Sequence, residues 1–264
     1  MNNLKSLLNQ VRYACIETSG FIQTEAAQFS KDSIELKGLN DLVSYVDKQA
    51  EQKLVSACKS ILPEAGFITE EGTVSIKSET YNWIIDPLDG TTNFTHGLPV
   101  YAISVALMHD DEIILGVIHE INRNECFYAV KSEPAFCNDK VISIANTEHL
   151  KDSLLATGFP YYNFEQMSSY LKILDAFMQN THGLRRMGSA AVDLAYVACG
   201  RFEGFFEYNL NAWDVAAGAF IVQQAGGKVT DFSGSHDYIF GRQIIAGGHV
   251  QPQMLELIKR IWYG

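Results

Sequence analysis

The sequence predicts a mixed α/β protein, with an α+β N-terminal half (residues 1–145) and an α/β C-terminal half (residues 146–264). Three observations predict this class. Apolar residues first recur at helical spacing, then gather into short strand-like runs up to about residue 144, and beyond residue 147 strand-like and helical runs alternate. With 264 residues, 47% of them hydrophobic, the chain can bury a substantial core.

Two amphipathic helices are predicted in the first quarter of the chain. Apolar side chains recur every three or four residues over 4–22 and again over 46–61. Ser44 is placed to cap the second helix at its start, and Pro63 is placed to end it. The polar stretch 29–40 is predicted to be a connecting loop.

Short apolar runs separated by turn residues predict a sheet in the middle of the chain. Asp110 and Asp111 suit a hairpin turn between two of these runs, so the sheet is predicted to be antiparallel. The strands are predicted over residues 66–68, 83–85, 101–108, 113–121 and 125–130.

In the C-terminal half, strand-like runs alternate with helical ones, which is typical of an α/β arrangement. The strands are predicted over residues 154–157, 202–206, 229–231 and 244–246. Gly200 and Gly226 follow two of the helical runs, as helix-ending glycines do. The helices are predicted over residues 164–178, 189–199, 215–225 and 251–261.

Composition argues against several functions. A net charge of −11 without a basic tract argues against nucleic acid or an anionic membrane as the main partner. No apolar run approaches the roughly 20 residues that cross a bilayer, and the start of the chain is amphipathic, unlike a signal peptide. We therefore expect a soluble, cytoplasmic protein. Its cysteines lack metal or disulfide spacing and are predicted to be reduced and buried: Cys15, Cys58, Cys126, Cys137 and Cys199.

The most informative segment is Trp-Ile-Ile-Asp-Pro-Leu-Asp-Gly-Thr-Thr-Asn-Phe, residues 83–94. An apolar strand runs directly into Asp86 and Asp89, Pro87 fixes a backbone dihedral, and Gly90 permits a sharp turn. The amides that follow are placed to converge on an anion, although an Asp-Pro, Asp-Gly pair is also an ordinary turn signal.

A magnesium site needs more oxygen ligands than two carboxylates supply. Glu70 and Glu71 follow a predicted strand, and Asp214 opens a predicted helix. Each acid also has a simple structural interpretation, as a solvated loop for the glutamates and a favourable first-turn charge for Asp214.

Two other aspartate-rich motifs match this segment less well. An EF-hand loop has acids at alternate positions and a glutamate at its twelfth position. Here Asp86 and Asp89 are three residues apart, and His96-Gly97 lies where that glutamate should be, so the EF-hand interpretation fails. A haloacid-dehalogenase-type phosphatase has one residue between its aspartates, whereas Pro87 and Leu88 separate Asp86 from Asp89 here. That class stays open as an alternative.

Several separated blocks, in order and over nearly the whole chain, resemble the inositol monophosphatase family, in its bacterial form. The blocks are Lys37 with Asp41-Leu42-Val43-Ser44 and Asp47, Glu70-Glu71, residues 86–94, Arg186-Met187-Gly188-Ser189-Ala190-Ala191, and Trp213-Asp214 with Ala217-Gly218. The resemblance implies a five-layer α-β-α-β-α sandwich of the sugar-phosphatase type, with the active site between the two halves. It also implies a homodimer and sensitivity to lithium.

The resemblance implies a carboxylate site for two or three Mg²⁺ ions. Glu70, Asp86 and the backbone carbonyl of Leu88 would bind one ion. Asp86, Asp89 and Asp214 would bind a second, so that Asp86 bridges the pair. An acidic protein would otherwise repel an anionic substrate, so phosphate chemistry here requires bound cations.

The same resemblance assigns catalytic and substrate-binding roles. Thr91 and Asp47 would orient and deprotonate a metal-bound water, with Glu70 helping to hold it. Asp47 also matches a capping-box position after Ser44. The amides of Gly90, Thr91 and Thr92 would hold the phosphate. The remaining substrate contacts would be Asp89, Gly188, Ser189, Ala190, Glu207 and Asp214.

The predicted reaction is Mg²⁺-dependent hydrolysis of a small phosphate monoester, inositol monophosphate in the first place. Glu207 favours a neutral polyol, because a carboxylate accepts hydroxyl hydrogen bonds and repels a second phosphate. Histidinol phosphate, fructose bisphosphate and nucleotide 3′-phosphates remain alternatives, as does a regulatory or scaffold protein without turnover. Thr69 before the paired acids and Asn211 before Trp213 depart from the common family pattern.

Overall fold

Helices and sheets alternate in five layers, so the predicted α-β-α-β-α arrangement is confirmed. The structure is a computed structural model that describes residues 2–30, 34–38, 41–74, 76–160 and 164–264. The predicted loop residues 31–33, 39 and 40 lie outside the described part, as do the side chains of Lys37 and of residues 41–43. The described helices include none long and apolar enough to cross a membrane.

The first layer consists of α1 (Asn2–Ala26) and α2 (Tyr45–Ile61), which pack on one face of a large sheet. Both confirm the predicted helices, and Ser44 caps α2 as predicted. The expected loop before α2 is wrong in part, because β1 (Ile34–Gly38) pairs with β2 (Asp41–Ser44) in a hairpin. The sequence of β1 alternates apolar and polar residues, a strand signal that the polar composition of the segment concealed.

The second layer is a seven-stranded sheet in the order β3-β4-β5-β6-β7-β8-β9. The turn at Asp110 and Asp111 is confirmed, and Asp110 has a positive φ of 53°. A short helix, α3 (Thr91–His96), follows the second of these strands. The strands are β3 (Gly66–Thr69), β4 (Tyr81–Asp89), β5 (Ala102–His109), β6 (Glu112–Glu120), β7 (Glu125–Val130), β8 (Phe136–Cys137) and β9 (Lys140–Val141).

Pairing in this sheet is antiparallel except between β3 and β4, which are parallel. The prediction of an antiparallel sheet is therefore wrong at this edge. The segment between β3 and β4 returns the chain to the end of the sheet at which β3 begins, so the two strands run in the same direction. Alternate residues face opposite layers: Trp83 and Ile85 pack with the first helices, whereas Ile84 belongs to the core behind the sheet.

The central layer consists of α5 (Ala190–Ala198) and α6 (Ala212–Gln224), which fill the space between the two sheets. Small residues allow a close approach of the two helices. A Cβ added at Gly218 would lie 2.5 Å from the Cβ of Leu194. The predicted helices over 189–199 and 215–225 are confirmed to within a few residues.

The second sheet has the order β11-β10-β12-β14-β13, and helices α4 (Met167–Asn180) and α7 (Gln251–Trp262) cover its outer face. Its strands are β10 (Leu154–Thr157), β11 (Gly183–Arg185), β12 (Gly204–Tyr208), β13 (Lys228–Thr230) and β14 (Gln243–Gly247). β11 was not predicted. At three residues it is too short to show a period.

Candidate active site

The carboxylate cluster begins where β4 ends. In regular strand geometry Asp86 and Asp89, three positions apart, would point to opposite faces. The pairing with β5 is irregular here, because Asp86 lies opposite Ser104 and Asp89 opposite Ala102, so three steps of β4 match two of β5. A bulge of this kind redirects side chains and allows both carboxylates to share one site.

Asp214 joins the cluster from the first turn of α6. The Ser104 hydroxyl donates to the Trp213 carbonyl at 3.1 Å, which ties β5 to the start of this helix. The Asn211 amide donates to Asp214 Oδ2 at 2.6 Å in a capping arrangement. One oxygen each of Asp86, Asp89 and Asp214 lie within 4.8 Å of one another.

Protein donors fix the other aspartates as well. The Leu88 amide donates to Asp86 Oδ1 at 3.0 Å. Asp89 Oδ2 accepts from the Ser189 hydroxyl at 2.7 Å and from the Ala191 amide at 2.6 Å, so a residue of the N-terminal half is held by the start of α5. The cluster is therefore positioned before any ligand enters.

The electrostatics of the cluster favour the binding of a cation. Burial raises the pKa of Asp86 well above its usual range, and Glu70, Asp89 and Asp214 raise it further. Burial also raises the pKa of Asp89 to about 6, and burial with the charge of Asp89 raises the pKa of Asp214 to about 7. Converging carboxylate oxygens are the ligands that hard cations such as Mg²⁺ prefer, so these residues fit the ion that the sequence predicts.

A buried glutamate that the sequence analysis missed holds the turn bearing Glu70. Glu51, on α2, accepts from the Thr69 hydroxyl at 3.0 Å and the Glu71 amide at 2.7 Å. It also accepts from the Thr73 amide at 2.8 Å and the Thr73 hydroxyl at 2.6 Å. The departure at Thr69 therefore adds a hydrogen bond to this turn. The available signal was an acid on the sheet-facing side of α2, one turn after Asp47.

Asp47 and Thr91 form a direct contact beside the cluster. The Thr91 hydroxyl lies 2.8 Å from Asp47 Oδ1 and 3.1 Å from the Leu88 carbonyl oxygen. Asp47 Oδ2 accepts from the Ser44 amide at 2.8 Å and from the Ser44 hydroxyl at 2.7 Å. The capping interpretation of Asp47 is confirmed, and its second oxygen contacts Thr91. Burial raises the pKa of Asp47, and the hydrogen bonds from Ser44 and Thr91 oppose that rise.

The turn after Asp89 requires glycine. Gly90 has a φ of 100°, and a Cβ there would lie 2.9 Å from the Val100 carbonyl oxygen. The Asn93 side-chain amide donates to the carbonyls of Val100 at 2.7 Å and Met187 at 2.8 Å. These bonds join the loop before α5 to α3, and thereby bring Gly188 near the turn.

A cavity of about 330 Å³ opens on the cluster. Of the predicted site residues, Asp47 alone is absent from its walls, since it lies behind Thr91. The predicted residues that line the cavity are Glu70, Asp86, Leu88, Asp89, Gly90, Thr91, Thr92, Gly188, Ser189, Ala190, Glu207 and Asp214.

The cavity also has walls that the sequence analysis did not assign, among them Gly158, Arg186 and Asp193. Burial raises the pKa of Asp193 well above its usual range, with Glu207 and Asp89 adding to the rise and Arg186 opposing it. Burial likewise raises the pKa of Glu207, and Arg186 again opposes. No spacing in the sequence brings these residues together, because they come from different elements.

The five layers and the converging acids define a layered α/β protein with a carboxylate cluster whose geometry suits a metal ion. The chain belongs to the inositol monophosphatase family, whose pattern it matches over residues 4–263. It is 36% identical to an inositol-1-monophosphatase of Mesorhizobium japonicum, over 97% of each chain. It is 41% identical to the Nus factor SuhB of Pasteurella multocida, over 86% of this chain and 83% of that one.

Solved structures agree with this membership. The extragenic suppressor protein suhB from Bartonella henselae superposes with a TM-score of 0.89 at 36% identity, over 97% of this chain and 99% of that chain. The predicted family and fold class are thus confirmed.

Proposed function

We propose that this protein hydrolyses inositol monophosphate to inositol and phosphate, with Mg²⁺ as cofactor and water as the direct nucleophile. The observation that carries the proposal is the convergence of Asp86, Asp89 and Asp214 in a cavity lined by Thr91, whose hydroxyl contacts Asp47 behind the wall. Membership of the inositol monophosphatase family supports a phosphatase activity.

The ligands for Mg²⁺ divide into two sets. Glu70, Asp86 and the Leu88 carbonyl would hold one ion, and Asp86, Asp89 and Asp214 a second. Two or three ions would bind in all. When bound, Mg²⁺ supplies positive charge that makes water more acidic and offsets the charge of the phosphate.

The Asp47–Thr91 pair would move a proton. Because the Thr91 hydroxyl donates to Asp47 Oδ1, its oxygen lone pairs can accept a hydrogen bond from the attacking water. Transfer of the water proton to Thr91, and of the threonine proton to Asp47, leaves hydroxide to form the new phosphorus–oxygen bond. The ester bond breaks, and the leaving alkoxide takes a proton from solvent. A pKa raised by burial makes Asp47 a stronger base for this step.

The remaining residues would bind the substrate. The amides of Gly90 to Thr92 would hold the phosphate, and Gly188 to Ala190 together with Glu207 would face the alcohol. We also propose that the chain divides near residue 145, that it acts as a cytoplasmic homodimer sensitive to lithium, and that neither nucleic acid nor a membrane is its main partner.

The test is phosphate release from inositol 1-phosphate and histidinol phosphate while Mg²⁺ is titrated. We expect Mg²⁺-dependent turnover of inositol 1-phosphate that is lost in Asp89→Asn and kept in Asp111→Asn, a matched change at an exposed turn. A preference for histidinol phosphate would keep the mechanism and replace the substrate. Fructose bisphosphate and a nucleotide 3′-phosphate complete the panel.

A second candidate comes from the relatives that carry the name Nus factor. This chain would then also be a Nus factor, with or without turnover. Absence of Mg²⁺-dependent hydrolysis of every ester tested, including para-nitrophenyl phosphate, would place this candidate first.

A further inference from the structure

Three residues connect the end of β12 to the start of α6, and an arginine from another loop binds two of them. The connection consists of Asn209, Leu210 and Asn211, which line the cavity. Arg242, at the bend before β14, donates from Nη1 to Asn211 Oδ1 at 2.8 Å and from Nη2 to Asn209 Oδ1 at 2.8 Å. Nη2 also lies 3.0 Å from the Asn209 carbonyl oxygen. A planar guanidinium with several donors thus fixes both ends of the connection.

The backbone at this contact is strained. Asn209 has a φ of 69° and Arg242 a φ of 62°, and the Asn209 amide donates to the Arg242 carbonyl at 2.6 Å. Asparagine adopts the left-handed conformation readily, whereas arginine adopts it rarely. Strain of this kind gathers at functional sites, where the surrounding contacts hold it. The position of Arg242 is therefore a feature that asks for a functional explanation.

The contact with Arg242 orients the side-chain amide of Asn211. Arginine has donors and no acceptor, so the Asn211 atom that lies 2.8 Å from Nη1 must be the oxygen, and Nδ2 is the atom that can donate to a carboxylate. Asn211 hydrogen-bonds Asp214 through its side chain and through its backbone amide, the latter at 2.6 Å to Oδ2. The contacts therefore run from Arg242 through Asn211 to Asp214.

The charge of Arg242 also reaches Asp214, although Arg242 lies outside the cavity. Burial raises the pKa of Asp214 and the charge of Asp89 adds to the rise, whereas the hydrogen bonds from Asn211 and the charge of Arg242 oppose it. Arg242 is half-buried and is not among the described residues that line the cavity. It therefore supports Asp214 from behind, without taking the space of a cation or a substrate.

We propose that Arg242 is a positioning residue, which fixes Asn211 and thereby holds Asp214 in the orientation that binds Mg²⁺. This inference rests on the proposed function, which assigns Mg²⁺ to the cluster. Asp214 comes from α6, whereas Asp86 and Asp89 come from β4, so the placement of Asp214 needs contacts of its own. Residues that orient a metal ligand contribute about 10- to 100-fold to metal affinity. Asn211 is also a position at which this sequence departs from the common family pattern.

The experiment measures Mg²⁺ binding by calorimetry, without substrate, for wild type, Arg242→Met and Arg242→Lys. Both changes keep an unbranched side chain at the strained position, and only lysine keeps a charge and a donor. We expect Arg242→Met to raise the Kd of one of the Mg²⁺ ions about 10- to 100-fold, and Arg242→Lys to restore part of the affinity. The Mg²⁺ concentration for half-maximal hydrolysis of inositol 1-phosphate should rise by the same factor, while KM at saturating Mg²⁺ stays constant.

Three controls separate positioning from folding. Arg260→Met, a change at an exposed arginine of α7, should leave the Kd for Mg²⁺ unchanged. Because Arg242 is proposed to act through Asn211, the double variant Arg242→Met with Asn211→Ala should bind Mg²⁺ no more weakly than the weaker of the two single variants. A role in stability alone would lower the unfolding temperature in EDTA and leave the Kd of the folded protein unchanged.

An unchanged Kd in Arg242→Met, or additive losses of affinity in the double variant, would overturn the positioning role. The proposed function is judged separately. If the wild-type protein bound Mg²⁺ and hydrolysed no ester, the proposed function would fail, and the Kd values would still decide the role of Arg242. Mg²⁺-dependent hydrolysis with equal Kd values in wild type and Arg242→Met would keep the function and reject the positioning role.

Discussion

Two sets of acids lie near the ends of β3 and β4, and they are built in opposite ways. Glu51 is fully buried, and hydrogen bonds from Thr69, Glu71 and Thr73 converge on its carboxylate. Asp86, Asp89 and Asp214 instead converge on one another. A buried carboxylate surrounded by donors is a structural anchor, whereas carboxylates that face each other need a cation from outside.

The difference explains how one region can be both stable and reactive. The donors around Glu51 fix the turn that carries Glu70. The mutual repulsion within the cluster is a cost to the metal-free fold, which the surrounding layers offset. The comparison therefore predicts that a substitution in the cluster lowers activity and raises the stability of the metal-free protein. A substitution of Glu51 should instead lower stability.

The largest expected effect is on activity in Asp86→Asn. Loss of a carboxylate that we propose binds Mg²⁺ should reduce kcat/KM for inositol 1-phosphate about 1,000-fold or more, since metal-ion catalysis contributes several kcal/mol to the transition state. The same change should raise the unfolding temperature in EDTA, because it removes one of the repelling charges. Thermal unfolding in EDTA, with Asp111→Asn as the matched control, checks the expected rise in unfolding temperature. A lower unfolding temperature for Asp86→Asn would contradict the comparison.

The next effect is on stability in Glu51→Ala. The amides and hydroxyls that now donate to Glu51 would be left buried or poorly solvated, so the free energy of unfolding should fall by about 3 kcal/mol or more. Urea denaturation measures this, and Glu64→Ala, an exposed glutamate just after α2, is the control. Equal stability of the two variants would show that Glu51 is not an anchor.

The two sets also show what the sequence could and could not predict. Asp86, Asp89 and Asp214 were found because residues 83–94 and the Trp213-Asp214 pair are dense local patterns. Glu51 and Asp193 were missed, because each is a single acid within a helix, where periodicity alone indicates only a polar position. Their roles depend on loops and strands distant in sequence.

The fold shows the same limit. Long periodic segments such as β5, β6, α1 and α7 were predicted to within a few residues. The hairpin of β1 with β2 and the short strands β8, β9 and β11 were not, since two to five residues carry too little period. The parallel pairing of β3 with β4 depends on the path of the intervening chain, which local pattern does not encode.

His119 extends the comparison to a buried group that has neither donors nor a cation. It lies on β6 and is 1% exposed, and neither ring nitrogen has a hydrogen-bond partner in the part of the chain that the structure describes. Burial lowers the pKa of His119 from 6.5 to about 4. Between pH 6.5 and pH 4, His119 is protonated in the unfolded chain but stays neutral in the folded protein. The free energy of unfolding is therefore highest above pH 6.5 and falls as the pH is lowered through this range.

The expected loss between pH 6.5 and pH 4 is about 3 kcal/mol, at 1.36 kcal/mol for each pKa unit. Urea denaturation of wild type and His119→Phe across this range, both with saturating Mg²⁺, measures the difference. The difference in free energy of unfolding between wild type and His119→Phe should change by that amount as the pH falls. His236→Phe, a change at an exposed site, is the control, and its difference from wild type should stay constant. Parallel pH profiles for wild type and His119→Phe would contradict the assignment.

The smallest expected effect is the stabilisation of the folded protein by Mg²⁺ bound at the cluster. A ligand that binds only the folded state stabilises it by about 2.7 kcal/mol at a concentration 100 times its Kd. The wild-type protein should therefore unfold at a higher temperature when Mg²⁺ replaces EDTA, and Asp86→Asn should lose most of that rise. Glu51→Gln should keep the rise while unfolding at a lower temperature in both conditions, because its defect lies in the supporting turn. If Mg²⁺ raised the unfolding temperature of Asp86→Asn as much as that of wild type, the converging carboxylates would not be the magnesium site.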